Sequence, residues 1–449
     1  MAYNRKQRLN DNIKAIETAF ILDREQRTPT ARERLLLERY CGFGGLKCIL
    51  NPARELADAV HWAKSDLELF APTVELHRLI RENSKNESEY KQLMDSLKQS
   101  VLTAFYTPSA VTEVLTDVLK EHQIIPEKVL EPSAGIGAFV DSVLDNNPKA
   151  DIMAFEKDLL TGKILRHLHP EQKVRIEGFE KIEKPFNDYF DLAISNIPFG
   201  DVAVFDPSYT AMKGMRALVT RRIHNYFFVK ALDTVRDGGL VAFITSQGVL
   251  NAKNNSAARF MMLYHADLVS AIRLPNNLFT ENANTEVGSD LIILQKNSQK
   301  ESLRGDDNLL DTVYNDENRI PTNNYFLEHP ERIIHTTAKL DTDPFGKPAM
   351  IYTHEDGVEG IAEDLRKMLH EDFKKNLNLN RYLGIEETKA EEVKEVEETE
   401  KIEKTAKIKP SIEEKQNDTV VSLQKQEKPT DDAELSQKSN HQQPPVQMR

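Results

Sequence analysis

Cysteine is scarce in this chain: among 449 residues, only Cys41 and Cys48 occur. So few thiols exclude a small secreted scaffold held together by disulfides, and both side chains are expected to be reduced. Neither cysteine stands in a metal-ligand spacing with nearby histidines, so no metal site is predicted. Apolar cores must hold the chain instead, and its length suffices for two or three domains.

Long apolar runs and targeting signals are missing as well. No stretch approaches eighteen consecutive apolar residues, and residues 1–6 lack the apolar centre of a signal peptide. No Gly-x-x-x-x-Gly-Lys-Ser/Thr loop is present, so ATP-driven unwinding is not predicted. We therefore expect a soluble protein of the cytoplasm without a membrane span.

Positive charge is in deficit overall, because 72 acidic residues against 59 Lys and Arg give a net charge of −13. Phosphate contacts normally come from Lys and Arg, so the total argues against nucleic acid as a partner. Residues 211–230, however, contain no acid. We predict that this segment faces phosphate groups, although a solvated helix face would have a similar composition. The candidate DNA-binding residues are Lys213, Arg216, Arg221 and Arg222.

The most informative motif is Asn196-Ile197-Pro198-Phe199, which follows an apolar run typical of a buried strand. The Asn196 side-chain oxygen and the Ile197 carbonyl can both accept hydrogen bonds from one exocyclic NH2 group. Pro198 stiffens the turn and Phe199 offers a stacking face. The motif indicates chemistry on a planar amine, while an ordinary turn after a strand is the simpler interpretation.

Upstream, residues 129–140 are typical of a strand, a glycine turn and a helix. We predict that Gly135 and Gly137 let the backbone approach a ligand closely. Glu156 follows the next apolar segment, where an acid can hold ribose hydroxyls, and this spacing suits both nicotinamide and S-adenosylmethionine sites. Glu131 favours a ligand with a positive amino group and no phosphate.

Tyr106-Thr107-Pro108 lies before apolar residues at helical spacing. Taken alone, this segment predicts only an amphipathic helix that begins at a proline. Its order before the glycine turn, Glu156 and the Asn196 motif makes it a candidate part of the same site.

Apolar segments along residues 101–297 alternate as expected for parallel βαβ units, whose ligands collect beyond the carboxyl ends of the strands. Strands are predicted near 128–131, 151–155, 174–177, 190–195, 239–245, 268–273 and 289–295. Before them, Thr28-Pro29 is expected to cap a helix, and Gly42 to Gly45 to form a turn, with ligand or DNA contact as the minority interpretation.

We divide the chain into four parts on these patterns. They are a helical region at 1–100, a catalytic domain at 101–297, a small mixed region at 298–385 that is a candidate for target recognition, and a charged tail at 386–449. A helix is expected from Gly360 to Phe373. The tail has almost no aromatic side chains, so we expect it to be disordered, with a solvent-exposed helix at 391–409 as the alternative.

The ordered motifs Phe-Tyr-Thr-Pro, Glu-Pro-Ser-Ala-Gly-Ile-Gly, the acid at 156 and Asn-Ile-Pro-Phe resemble those of the gamma-class amino-group DNA methyltransferases. Ile197 replaces the first proline of that family's catalytic motif, where only the backbone carbonyl is used. More narrowly, residues 30–300 are similar to the methylase portion of methylase-helicase proteins of bacterial mobile elements.

The resemblance implies a Rossmann-like class I S-adenosylmethionine-dependent methyltransferase, with a seven-stranded, mostly parallel α/β sheet and a helical N-terminal region. It implies transfer of a methyl group to N6 of a flipped-out adenine in DNA by direct in-line displacement, with no metal. The implied catalytic residues are Asn196, Ile197, Pro198 and Phe199, and Phe199 and Phe279 are implied to stack on the base. The implied cofactor-binding residues are Tyr106, Thr107, Pro108, Glu131, Ser133, Gly135, Gly137, Glu156 and, with a shifted register, Glu180.

Other functions remain open. The same grip on an amine serves methyltransferases that act on cytosine N4, on RNA bases and on protein glutamine, and the chain could be a DNA-binding or assembly subunit with a vestigial site. The expected partners are DNA and, as a further candidate, a helicase or other mobile-element protein in a bacterial cytoplasm. Restriction-modification, self-marking of a mobile element and regulation are all compatible with the motifs.

Overall fold

The computed structural model describes residues 4–103, 106–280, 286–303, 307–314, 319–343 and 346–385. Its centre is a sheet of seven strands, with the bounds β1 Lys128–Glu131, β2 Asp151–Phe155, β3 Lys173–Arg175, β4 Phe190–Asn196, β5 Val235–Ser246, β6 Ala266–Leu274 and β7 Ser289–Lys296. The order across the sheet is β3-β2-β1-β4-β5-β7-β6, and only β7 is antiparallel to its neighbours. The seven-stranded, mostly parallel α/β sheet is thus confirmed.

The strand order reverses between β1 and β4, and ligands of open α/β sheets bind at such a reversal, beyond the carboxyl ends of the strands. Leu130 in β1 pairs with Ala193 in β4, and Asn196 at the end of β4 pairs with Ile244 in β5. The carboxyl ends of these strands therefore form one edge of the sheet, which we call the ligand rim.

Helices precede the sheet and alternate with its strands. The first four are α1 Arg5–Glu25, α2 Ala31–Leu37, α3 Phe70–Glu82 and α4 Glu87–Thr103. The others are α5 Ser109–Glu121, α6 Ala138–Asn146, α7 Leu159–Leu168, α8 Pro207–Thr210, α9 Gly214–Val219, α10 Ile223–Thr234, α11 Gly248–Asn251, α12 Ser256–His265, α13 Asn324–Glu328, α14 Gly357–Asn376 and α15 Leu379–Leu383.

The N-terminal helices share an apolar core with α7 of the sheet region. Side chains of α1 and α4 are buried in one cluster with Leu160, Ile164 and Leu168 of α7. On the outside of this contact, the Asp23 carboxylate of α1 accepts a hydrogen bond from the His167 ring. Apolar burial of this kind is the main stabilising term in folding, so α7 joins the N-terminal helices to the sheet.

The start of α2 differs from the expectation. Thr30, rather than Thr28-Pro29, caps the helix, because the Thr30 hydroxyl accepts from the Glu33 N–H and the Glu33 carboxylate accepts from the Thr30 N–H. This reciprocal capping box satisfies two backbone donors at once.

Two small antiparallel ribbons and α14 follow the sheet. The ribbons pair β8 Thr312–Tyr314 with β9 Pro321–Asn323, and β10 Thr337–Thr342 with β11 Pro348–Thr353. The helix expected at Gly360–Phe373 runs somewhat longer as α14, and its Leu365 and Leu369 are buried in the core on one face of the sheet. The four-part domain division stays a prediction, and the tail from 386 lies outside the described residues.

Within the described ranges, no helix combines the length and apolarity needed to cross a membrane. The same part of the chain contains no group of three or more His, Cys, Asp or Glu side chains placed to hold a metal ion.

Candidate active site

The glycine turn after β1 is tied to the ends of two neighbouring strands. The Ala134 N–H donates to the carbonyl of Phe155 at the end of β2 over 2.8 Å. From β4, the Ser195 hydroxyl donates to the Ser133 carbonyl over 3.2 Å. These contacts fix the turn directly above the strand-order reversal, where a ligand of this sheet would lie.

Gly135 and Gly137 have φ values of +57° and +94°, a backbone region that residues other than glycine rarely adopt. The space beside them is filled by the protein itself. A Cβ on Gly135 would lie 2.8 Å from Cε1 of Tyr106, and one on Gly137 would lie 2.6 Å from Nε2 of His169. Glycine is therefore required here because the side chains of Tyr106 and His169 pack against the turn. The expected close approach of a ligand would be an additional reason.

The buried polar atoms without a hydrogen-bond partner include Oγ1 of Thr107, which follows Tyr106 in the chain, and Oε2 of Glu131 at the rim. Glu131 is 2% exposed, and burial, with the nearby charges of Asp141 and Glu156, raises its pKa well above the usual value. Burying a carboxyl oxygen without a hydrogen-bond partner costs free energy, unless a ligand supplies the missing partner. A cationic amino group on a ligand would supply it, and the residues present therefore fit S-adenosylmethionine.

Glu156 lies at the end of β2 with both oxygens engaged. Oε2 accepts from the Gly135 N–H over 2.8 Å and Oε1 from the Asp158 N–H over 2.7 Å. Burial raises the pKa of Glu156 to about 8. Each carboxylate oxygen can accept a further hydrogen bond, so the residue can hold ribose hydroxyls while it fixes the glycine turn.

Glu180 lies on the next loop along the rim, after β3. Its side chain folds back over Gly178, where a Cβ would stand 2.1 Å from Oε2, and its Oε1 lies 3.8 Å from Nζ of Lys157. Its role in cofactor binding stays a prediction.

The Asn196 motif begins where β4 ends. Ile197 is buried, and its N–H donates to the Ile244 carbonyl of β5 over 3.0 Å, which fixes the main chain at this point. Asn196, Pro198 and Phe199 are partly exposed. Because β1 and β4 are adjacent, the motif and Glu131 lie on the same rim, and their catalytic and binding roles stay predictions.

Phe199 and Phe279 meet at this edge, with ring centroids 6.3 Å apart and planes inclined at 76°. Phe279 is fully buried, so it presents no open face to a base in this conformation. Its stacking on the base stays a prediction. The ring instead packs edge-to-face against Phe199, which retains exposed surface.

The basic residues after the motif divide into two pairs. Arg216 binds Asp233 through two nitrogens, at 2.5 and 2.9 Å, and Arg222 binds Asp201 at 2.8 Å. Arg216 and Arg222 thus have carboxylate partners within the chain, whereas Lys213 and Arg221 are exposed. The DNA contacts of all four side chains stay predictions.

Three side chains on the cofactor side of the rim were not predicted from the sequence. His169 fills the space at Gly137, Ser195 binds the glycine turn, and Thr161 lies next to Tyr106. No spacing pattern could have revealed them, because each acts across a contact between segments far apart in the chain.

A family model described as N-6 DNA Methylase matches residues 88–391. The chain is 29% identical over 201 residues to Defense against restriction protein B of Escherichia phage P1, and 25% identical over 173 residues to the type II methyltransferase M.XamI of Xanthomonas campestris pv. amaranthicola. The matched parts are 43% and 36% of this chain, but only 8% and 33% of those proteins.

Among solved structures, the chain is similar to the type I restriction-modification methyltransferase subunit from Streptococcus thermophilus. The identity is 12% and the TM-score 0.37, over 83% of this chain and 94% of that one.

Proposed function

The chain belongs to the N-6 DNA methylase family, and from this membership we propose that it transfers a methyl group from S-adenosylmethionine to N6 of adenine in DNA. The fold is that of the class I methyltransferases, with S-adenosylmethionine as the cofactor. The observation that carries the proposal is the common rim on which Glu131 with its unpartnered oxygen, Glu156 and the Asn196 motif occupy the ends of three adjacent strands.

The cofactor side of the rim would hold the ligand through charge and hydroxyl contacts. Glu131 receives the amino group of the methionyl part, the Thr107 hydroxyl gains the partner that it lacks, and Glu156 accepts from the ribose. Tyr106, Pro108, Ser133, Gly135 and Gly137 shape this side, and Glu180 borders it. The bound cofactor supplies an electrophilic methyl group on a sulfonium sulfur.

The Asn196 motif would hold the amine. Its N–H groups donate to the Asn196 amide oxygen and to the Ile197 carbonyl, and these contacts favour a pyramidal nitrogen whose lone pair points at the methyl carbon. Held in this way, the amine nitrogen would be positioned to accept the methyl group that the cofactor supplies, and it would release one proton. Positioning and electrostatics supply most of the acceleration, while Phe199 stacks on the base that has left the duplex.

The two relatives also suggest a cellular role for the methylation. The chain spans 8% and 33% of the length of the two relatives, one named for defense against restriction and the other a type II methyltransferase. We propose that methylation here marks DNA within a restriction-modification setting, and that a helicase or other mobile-element protein is a partner.

The decisive experiment supplies the purified protein with S-adenosylmethionine and unmethylated duplex DNA, then quantifies methylated nucleosides by mass spectrometry. N6-methyladenine is expected, and sequencing the product locates the modified sites. Methyl label found only in N4-methylcytosine, RNA or protein would contradict the proposed target. Absence of cofactor binding in calorimetry would support the alternative, a DNA-binding or assembly subunit with a vestigial site.

A further inference from the structure

Residues 201–218, the 201–218 segment, follow the Asn196 motif and expose several large apolar side chains. Phe205 is 81% exposed, more than any other phenylalanine, tyrosine or tryptophan in the described part of the chain. Exposed apolar side chains that cluster in one segment mark a contact surface more often than chance. The other members are Val202, Met212, Met215 and Leu218.

Hydrogen bonds of buried side chains hold the 201–218 segment in place, so its exposed apolar side chains do not belong to a loosely held loop. Asp206 is 3% exposed and accepts hydrogen bonds from the Ser208 N–H at 2.8 Å, the Tyr226 hydroxyl at 2.7 Å and Nζ of Lys230 at 3.3 Å. Tyr209 is also buried, and its hydroxyl donates to Asp233.

Further contacts close the base of the segment. The Val204 N–H donates to the Thr220 carbonyl over 2.8 Å. A rigid base beneath an apolar tip is what insertion into a partner requires, because little order must be gained on binding. Phe205 is also only six residues from Phe199, so the two lie within about 20 Å of each other.

Charge indicates which partner fits. From Pro207 to Arg222 there is no acidic residue. Arg216 and Arg222 are matched by Asp233 and Asp201, which leaves the exposed Lys213 and Arg221 as the positive charges of this surface. An apolar tip flanked by positive charge complements the groove and the phosphates of duplex DNA.

We propose that the 201–218 segment is a DNA-contacting surface and that Phe205 inserts into the base stack, where it fills the gap left by the flipped base. This inference rests on the proposed function and deepens it. Apolar side chains wedged between base steps are a known way to stabilise unstacked DNA. Lys213 and Arg221 bind the adjacent phosphates.

The test compares Phe205→Ala with Leu56→Ala, because Leu56 is 84% exposed in a region remote in sequence. Two duplexes share a mapped methylation site: one has 2-aminopurine at the target position and reports flipping, and the other has adenine there and reports methylation. Phe205→Ala is expected to lower the flipping fluorescence on the first and to reduce kcat/KM on the second at least tenfold. Phe205→Trp should restore both, and Leu56→Ala should change neither.

Single-stranded DNA of the same sequence separates insertion from general damage, since it has no stack to open. Phe205→Ala is expected to retain wild-type activity on it and the wild-type melting temperature. Equal loss on both strand states would overturn the inference. So would a variant that matches wild type on the duplex, or one that changes only the oligomeric state, as a protein-binding surface would.

The salt dependence of DNA binding tests the contribution of Lys213 and Arg221. Lys213→Gln and Arg221→Gln should each lower the slope of log Kd against log salt concentration by about one. If wild-type protein binds duplex DNA but methylates no base, the proposed function fails, and the effect of Phe205→Ala on DNA affinity still decides this inference. Unchanged affinity would then refute it.

Discussion

The hydroxyl of Tyr40 lies 3.2 Å from Oγ1 of Thr161, and both side chains are buried. Tyr40 follows α2 in the N-terminal region, whereas Thr161 belongs to α7, and Thr161 also interacts with the hydroxyl of Tyr106. Tyr106 in turn covers Gly135. The N-terminal helices thus reach the glycine turn through three side chains, although the family match begins only at residue 88.

Tyr40→Phe is expected to weaken S-adenosylmethionine binding about fivefold, because it removes one buried hydrogen bond of roughly 1 kcal/mol from this connection. The dissociation constant from calorimetry and the KM for the cofactor should rise, while kcat and the KM for DNA stay unchanged. Tyr90→Phe removes a hydroxyl elsewhere in the same region and is the control. A fall in kcat with unchanged cofactor affinity would contradict the positioning role.

Gly135→Ala should abolish measurable cofactor binding and lower stability. The substitution places a Cβ in the left-handed region, at a cost of about 1–3 kcal/mol, and also against the Tyr106 ring. Gly357→Ala is the matched control, since its φ is +60° and nothing lies within 4 Å of the added Cβ. Thermal unfolding and calorimetry should show a larger loss at Gly135; equal losses would mean that the Tyr106 contact contributes nothing.

Asn196→Ala should reduce methylation at least a hundredfold and change cofactor affinity less than twofold. In the proposed arrangement the Asn196 side chain binds the amine, whereas the proposed cofactor contacts lie at the ends of β1 and β2. Nucleoside mass spectrometry measures the first quantity and calorimetry the second. Asn187→Ala, at an exposed site, controls for loss of an amide. Substantial activity in Asn196→Ala would defeat the proposed grip.

Stability should fall as the pH drops from about 6.5 to about 4, partly because of His224. This residue is 3% exposed, and burial lowers its pKa to about 4, so the unfolded chain takes up a proton that the folded chain refuses. His224→Gln should make the decline in Tm over this pH range shallower. His61→Gln, at an exposed site, should leave the slope unchanged. A wild-type slope in His224→Gln would show that the residue titrates normally.

Much of the sheet could be predicted because apolar runs and turn residues act locally. The strand expected at 151–155 has those bounds, and the strand expected at 190–195 ends one residue later, at Asn196. The strand expected at 174–177 ends early, at Arg175, which pairs with Phe155, the last residue of the neighbouring strand β2. The placement of Glu131, Glu156 and Asn196 followed from one rule, that parallel strands end on one edge.

Side-chain partners could not be predicted in the same way. Arg216 was expected to face DNA, but Asp233 lies one helix later and folds back to bind it. Phe279 was expected to offer a stacking face, but the core beneath the rim buries it completely. Both outcomes depend on how helices and loops pack, which the local pattern does not contain.

The strands, their alternation with helices and the motifs at the rim could be predicted from the sequence alone, because hydrophobic periodicity and turn chemistry act over a few residues. Which atoms at that rim have hydrogen-bond partners, and which do not, depends on the packed fold. Tyr106 and His169 fill the space beside the two glycines, while Thr107 and Glu131 keep unpartnered atoms. Burial and pairing are set by contacts between distant segments, and these exist only once the chain has packed.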